Sequence, residues 1–198
     1  MRMKFLVAGA VAGGLTLYLW QTISNVVLPW HEMVLTEVAD GPALSQTIRT
    51  AAPQNGVYFV PQGVLMAVSF RPDMADKTQF MGSMLGLQVV IDLVVAFALA
   101  ALMLRFSPAT PVRHASTLGL AALVVSALIH ASNWNWYGFS SGYTLVNIAD
   151  ATVGVFLAGL VIGVVLRKMS NVVADLPGVR AEGDLRTGDS LRGSDARR

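Results

Sequence analysis

Four apolar runs, each about 20 residues or longer, constrain this chain more than any other feature, and two of them carry an aspartate. Runs of that length span the hydrocarbon core of a bilayer when wound as α-helices rising 1.5 Å per residue. Asp92 lies within Leu85–Leu104, Asp150 lies within Tyr143–Leu166, and a third run holds His130. A charged side chain at the bilayer centre costs roughly 2.5–3.5 kcal/mol on insertion scales. Each aspartate therefore needs a partner, water or a function to offset it. Only 13% of the residues are charged and 54% are hydrophobic. Average soluble domains are about 25% charged, so the shortfall fits membrane spans and not a water-soluble core.

The predicted fold is an all-α membrane protein, a four-transmembrane-helix bundle. The spans are placed at residues 4–27, 80–104, 115–136 and 143–166. Residues 1–170 form one transmembrane domain that includes an extracytoplasmic insert at 29–79, and 171–198 form a tail. The first run has the basic start of a signal peptide (Arg2, Lys4). It continues past Trp20 to Leu28 with no small-residue cleavage site after it, and reads as an uncleaved anchor.

Basic residues set the expected orientation. Arg2, Lys4, Arg105, Arg113, Arg167 and Lys168 flank one side of the spans. Arg49, Arg71 and Lys77 fall on the other, diluted by Glu32, Glu37, Asp40, Asp73 and Asp76. The positive-inside rule then puts both termini in the cytoplasm of a multi-pass protein of the bacterial inner membrane. Trp20, Trp30, Trp134, Trp136, Tyr137 and Tyr143 all fall at the opposite, outer ends, where aromatic rings favour the headgroup boundary.

Within the insert, Asp40-Gly41-Pro42 followed by Ala43–Arg49 carries a helix start signal. Val57–Val60 and Val64–Phe70 around Pro61-Gln62-Gly63 read as a β-hairpin. A short extracytoplasmic α+β segment is expected, resting on the membrane surface, on span ends or on a partner. The link 105–114 is short and makes spans two and three antiparallel neighbours. The tail mixes arginine with aspartate and glutamate, is poor in apolar residues after Val179, and reads as disordered.

Polar residues inside the spans cluster by depth. Gln88 and Asp92 share a face of span two, His130 and Asn133 a face of span three, and Asn147 and Asp150 a face of span four. Gln21 and Asn25 lie near the outer end of span one. Asp92 is near the midplane and the others are nearer the outside. A polar pocket open to the outside is expected from Asp92, His130, Asp150, Gln88, Asn133, Asn147, Gln21 and Asn25, with His31 and Glu32 at its rim. The same residues could instead hold helices together by hydrogen bonds of about 0.6 kcal/mol each. Gly9/Gly13, Gly82/Gly86 and Gly159/Gly163 are small-xxx-small pairs that favour close helix contact.

Several function classes are excluded or unsupported. The chain has no cysteine, which removes disulfides, thiolate metal sites and thiol chemistry. His31-Glu32-Met33-Val34-Leu35 opens like a zinc-protease helix, but Leu35 stands where the second histidine is needed. Gly188-Asp189-Ser190-Leu191 spells a hydrolase signature in a charged tail with nothing to activate the serine. No cofactor, metal or nucleic-acid partner is expected.

The strings Leu28-Pro29-Trp30-His31, Gly56-Val57-Tyr58-Phe59-Val60-Pro61 and Trp136-Tyr137-Gly138-Phe139, together with Asp150, resemble uncharacterised small four-span inner-membrane proteins of bacteria. The resemblance implies the architecture and no activity. The expected function is an accessory or assembly subunit of a membrane complex, without catalysis, whose partners are the bilayer and other subunits or copies of itself. A carrier or channel for small solutes, coupled to protons through Asp92, is the second reading. A membrane enzyme acting on lipid or quinone headgroups through His130 and Asp150 is the third.

Overall fold

A computed structural model describes residues 2–61, 63–71, 77–105 and 110–174. The expected disordered tail lies outside the described residues from position 175 on. The described residues are mostly helical, with four helices long and apolar enough to cross a membrane and one two-stranded sheet. The helices are α1 (Arg2–Thr22), a short α2 (Gly41–Ala51), α3 (Lys77–Met103), α4 (Pro111–Tyr137) and α5 (Ser141–Ala174). The strands are β1 (Gly56–Val60) and β2 (Val64–Val68).

Helix ends follow local chemistry. Thr110 caps α4, its side chain accepting from Arg113 N at 3.3 Å, and Pro111 occupies the first turn, where its missing N–H costs nothing. The same helix stops at Gly138, which is left-handed (φ 70°) and returns its N–H to Trp134 O at 3.2 Å. Ser140 Oγ accepts from Tyr143 N at 3.2 Å to open α5. Asp40 caps α2 through Ala43 N at 3.1 Å, as its sequence signal predicts.

The end of α1 departs from a plain helix. Ile23–Val27 forms a π-helical turn closed by Leu28 N to Ile23 O at 2.9 Å. Leu28 is extended, as a residue before proline must tend to be. A 3-10 turn at Glu32–Val34 then leads into the insert. There β1 and β2 pair antiparallel, with Val57 opposite Ala67 and Phe59 opposite Leu65. Gly63, at φ 92°, supplies the left-handed turn residue.

The packing order differs from the order in sequence. α1 lies between α3 and α5, and α4 packs on α5. Spans two and three are therefore not the neighbours that their short link suggests. The physical reason lies in the small-residue faces. A Cβ placed on Gly9 or Gly13 would meet Ala100 or Ala96 of α3 at 3.2 Å and the Ile162 side chain of α5, so α1 is the helix both others can approach most closely. On α5, a Cβ at Gly159 would lie 3.2 Å from Ala115 Cα, and one at Gly163 would lie 2.9 Å from Pro111 Cα, so these two glycines seat α4. Around Gly82 and Gly86 no described atom lies within 4 Å of an added Cβ, and that pair seats none of the described helices. Core residues Ala100, Met103, Leu118 and Ile162 form one cluster, and Leu17, Ala96 and Ala158 form another nearer the middle of the bundle. The helix α5 also runs to Ala174, past the expected span end at 166 and into the expected tail, because Met169, Val172 and Val173 continue a sequence with no helix breaker.

Candidate functional site

Two polar clusters form along the half of α1 nearer the insert, and they diverge because α1 has a neighbour on each side. Successive helix residues point about 100° apart. Trp20 addresses α5, while Gln21 addresses α3.

The first cluster is built on Asp92. Its side chain is buried (1% exposed) at the middle of the apolar stretch Gly82–Met103. Gln88 Nε2, one turn toward the insert on the same helix, donates to Asp92 Oδ1 at 3.0 Å. Gln21 Nε2 of α1 donates to the same oxygen at 3.3 Å. Both donors are neutral amides. Asp92 Oδ2 is buried and has no hydrogen-bond partner among the described residues. The arrangement ties α3 to α1 through one acceptor atom and leaves the other carboxyl oxygen unused.

The second cluster joins Asp150 to the chain leaving α1. Trp20 Nε1 donates to Asp150 Oδ1 at 2.7 Å and to the Asp150 carbonyl at 3.1 Å. The indole fits because Gly154 lies beneath it: a Cβ there would sit 2.8 Å from Trp20 Cδ1. His31 Nε2 lies 3.4 Å from Asp150 Oδ2, with both side chains about four-fifths buried. The same His31 nitrogen lies 3.2 Å from Ser24 Oγ. Trp30 Nε1 donates to Ser24 Oγ and to the Ser24 carbonyl, each at 3.0 Å. That carbonyl belongs to the last turn of the helix, where the backbone acceptors lack intrahelical donors, so the Trp30 indole caps it from the side chain. Trp20 and Trp30 meet edge to face at 6.1 Å, and Trp30 meets His31 likewise at 5.7 Å.

Ser24, His31 and Asp150 have the residue types of a nucleophilic triad but not its geometry. A triad needs one imidazole nitrogen on the serine and the other on the carboxylate. Here both contacts converge on Nε2. When that nitrogen carries a proton it donates to Asp150, and when bare it accepts from Ser24, so it cannot hand a proton from one to the other. Ser24 is also completely buried. The cluster is a knot that fixes the α1 exit against α5.

The expected pocket residues thus separate. Asp92, Gln88 and Gln21 come together, and Asp150 meets His31, which the sequence places at a rim. His130 and Asn133 lie on α4, and neither side chain is hydrogen-bonded to a described residue. Asn147 turns back to donate to Tyr143 O at 2.8 Å, and Asn25 donates to Gln21 O at 3.0 Å. Glu32 is exposed. Ser24, Trp20 and Trp30 were not among the candidates. The signal for Trp20 is Gly154, one turn after Asp150 and opposite a large ring. Among the described residues no three His, Asp or Glu side chains converge as metal ligands would.

No protein-family model, curated protein or solved structure matches the chain.

Proposed function

We propose that this protein is a non-enzymatic subunit of a membrane complex, docking its partner through the extramembrane insert. The observation that carries this reading is the face of the hairpin. Val57 and Phe59 are each 71% exposed, and Leu65, opposite Phe59, is exposed beside them. Two strands alone are marginal in water, and an uncovered apolar pair of strands with free edges is a template for a further strand or an apolar surface. The start of the insert is tied to the bundle by Trp30 and His31, and the hairpin lies beyond that anchor. Arg71 donates to Met84 Sδ at 3.4 Å, and within the insert Arg49 stacks on Phe70 with its guanidinium carbon 4.6 Å from the ring centroid. Among the described residues no bundle helix packs extensively on β1 or β2. Asp92 and Asp150 are meanwhile engaged by Gln21, Gln88, Trp20 and His31, contacts that tie helices together and suit a scaffold better than a turnover site.

The test is photo-crosslinking in the native membrane, with a photoreactive amino acid at Phe59 and, as control, at Gln46 of α2. A discrete protein adduct from position 59 and not from 46 is expected, lost when Val57→Asp is added. Adducts with lipid alone, or a monodisperse monomer with no co-purifying chain after gentle extraction, would count against a partner on this face.

A further inference from the structure

A second feature lies at the opposite end of the bundle, away from both polar clusters. The C-terminal end of α3, the start of α4 and the last turns of α5 enclose an open cleft of about 690 Å3. That volume is in the range of small-molecule and cofactor sites, which is about 300–1,000 Å3. Its polar side is formed by Arg113 and His114 of α4 and by Arg167, Ser170 and Asn171 of α5. Its apolar side is formed by Met103, Leu104 and Leu166, with Phe5 of α1 beyond them.

Three observations define what would fit. Arg113 and Arg167 are exposed, and among the described residues neither has a carboxylate within ion-pair distance, so two permanent positive charges face the same space with no described counter-charge beside them. Ser170 and Asn171 add neutral hydrogen-bonding groups next to them. The apolar wall continues from this rim onto the sides of helices that are apolar enough to lie in lipid. Guanidinium groups match phosphate geometry with paired N–H donors. Basic pockets between membrane helices are a recurring form of headgroup site.

We propose that this cleft binds the phosphate-bearing headgroup of an anionic phospholipid, with Arg113 and Arg167 on the phosphate and the acyl chains along Leu104 and Leu166. The apolar wall selects a lipid over free phosphate, since a free anion would leave half of the cleft unused. The inference is independent of the hairpin's role, because it concerns the other end of the molecule.

The experiment uses the full chain in nanodiscs of phosphatidylcholine doped with phosphatidylglycerol. Lipid retained after mild extraction is read by native mass spectrometry, and thermal stability is read alongside. Wild type is expected to retain phosphatidylglycerol over phosphatidylcholine and to melt higher with it. Arg113→Gln combined with Arg167→Gln is expected to lower that retention at least tenfold. Lys4→Gln combined with Lys168→Gln removes the same net charge from residues outside the cleft and is expected to leave retention within about twofold. Equal losses in the two double variants would show only a diffuse basic surface and overturn the site. Equal retention of phosphatidylcholine would overturn the headgroup assignment. Stabilisation by inorganic phosphate alone, matching that by phosphatidylglycerol, would overturn the lipid as its source. A double variant that melts lower even in pure phosphatidylcholine is replaced by the single Arg167→Lys. That variant keeps charge but loses the paired donors, and is expected to retain less phosphatidylglycerol than wild type; unchanged retention would overturn the role of Arg167.

Discussion

At the scale of single residues, the buried aspartate is the sharpest case. Asp92 has two amide donors on Oδ1 and an idle Oδ2. If its role is to accept from Gln21 and Gln88, the shape of the acceptor matters more than the charge. Asp92→Asn keeps a carbonyl oxygen in place and should stay within about 1 kcal/mol of the wild-type bundle, whereas Asp92→Leu strands two half-buried amides and should cost about 1–3 kcal/mol. Unfolding titrations in mixed micelles measure both. An asparagine variant as unstable as the leucine one would show that the carboxyl group itself is needed. The Gln88–Asp92 half of this contact is legible in the sequence, since residues four apart share a helix face. The Gln21 half is not, because which helix lies beside α3 depends on packing between distant segments. Trp20 shows a different failure. An indole near a span end reads as an interface anchor, yet its N–H is spent on Asp150, and only the glycine one turn along α5 hints at it.

At the scale of elements, helix existence and caps are written locally, and helix neighbours are not. Four spans, the Asp40 cap and the hairpin turn all follow from runs, spacing and turn chemistry within a few residues of each feature. The order of helices follows from which small-residue face finds which partner, so identical-looking glycine pairs have opposite meanings. Gly163 lies against the backbone of α4, where an added methyl would come 2.9 Å from Pro111 Cα. Gly86 faces open space. Gly163→Ala must push α4 away from α5 and should destabilise the bundle by about 1–3 kcal/mol, in the range seen for overpacking. Gly86→Ala meets no atom and removes a residue of poor helix propensity, so it should be neutral or stabilise by up to about 1 kcal/mol. Thermal melting of the two variants side by side reads the difference, and equal effects would contradict this assignment of helix contacts. The π-helical turn at Ile23–Val27 has no comparable local signal. It lies just before Pro29, and its exit geometry is held by Trp30 and His31 returning to Ser24.

At the scale of the whole molecule, the two ends of the bundle have opposite chemistry, and this polarity connects the fold to its proposed roles. One end carries the insert, the tryptophans and the knot of Ser24, His31 and Asp150. The other carries Arg113 and Arg167 in the open cleft, with Arg105 and Lys168 at the same end but outside it. Basic residues beside spans are retained on the cytoplasmic side, so the cleft should meet the inner leaflet and the hairpin should face outward. With that orientation, a partner docking on Phe59 would come from, or reach into, the extracytoplasmic side, and a lipid in the cleft would come from the leaflet rich in anionic headgroups. The absence of cysteine makes this polarity directly measurable, because any introduced thiol is unique. Thr47→Cys in α2 should react with a membrane-impermeant maleimide in intact spheroplasts. Lys168→Cys should react only after the membrane is permeabilised. Both positions lie on exposed surface, so a failure to label reflects the membrane and not burial. The reverse pattern would invert the bundle, place the arginine cleft in the outer leaflet, and move the hairpin's partner to the cytoplasm, leaving the helix contacts unchanged but reassigning both proposed surfaces.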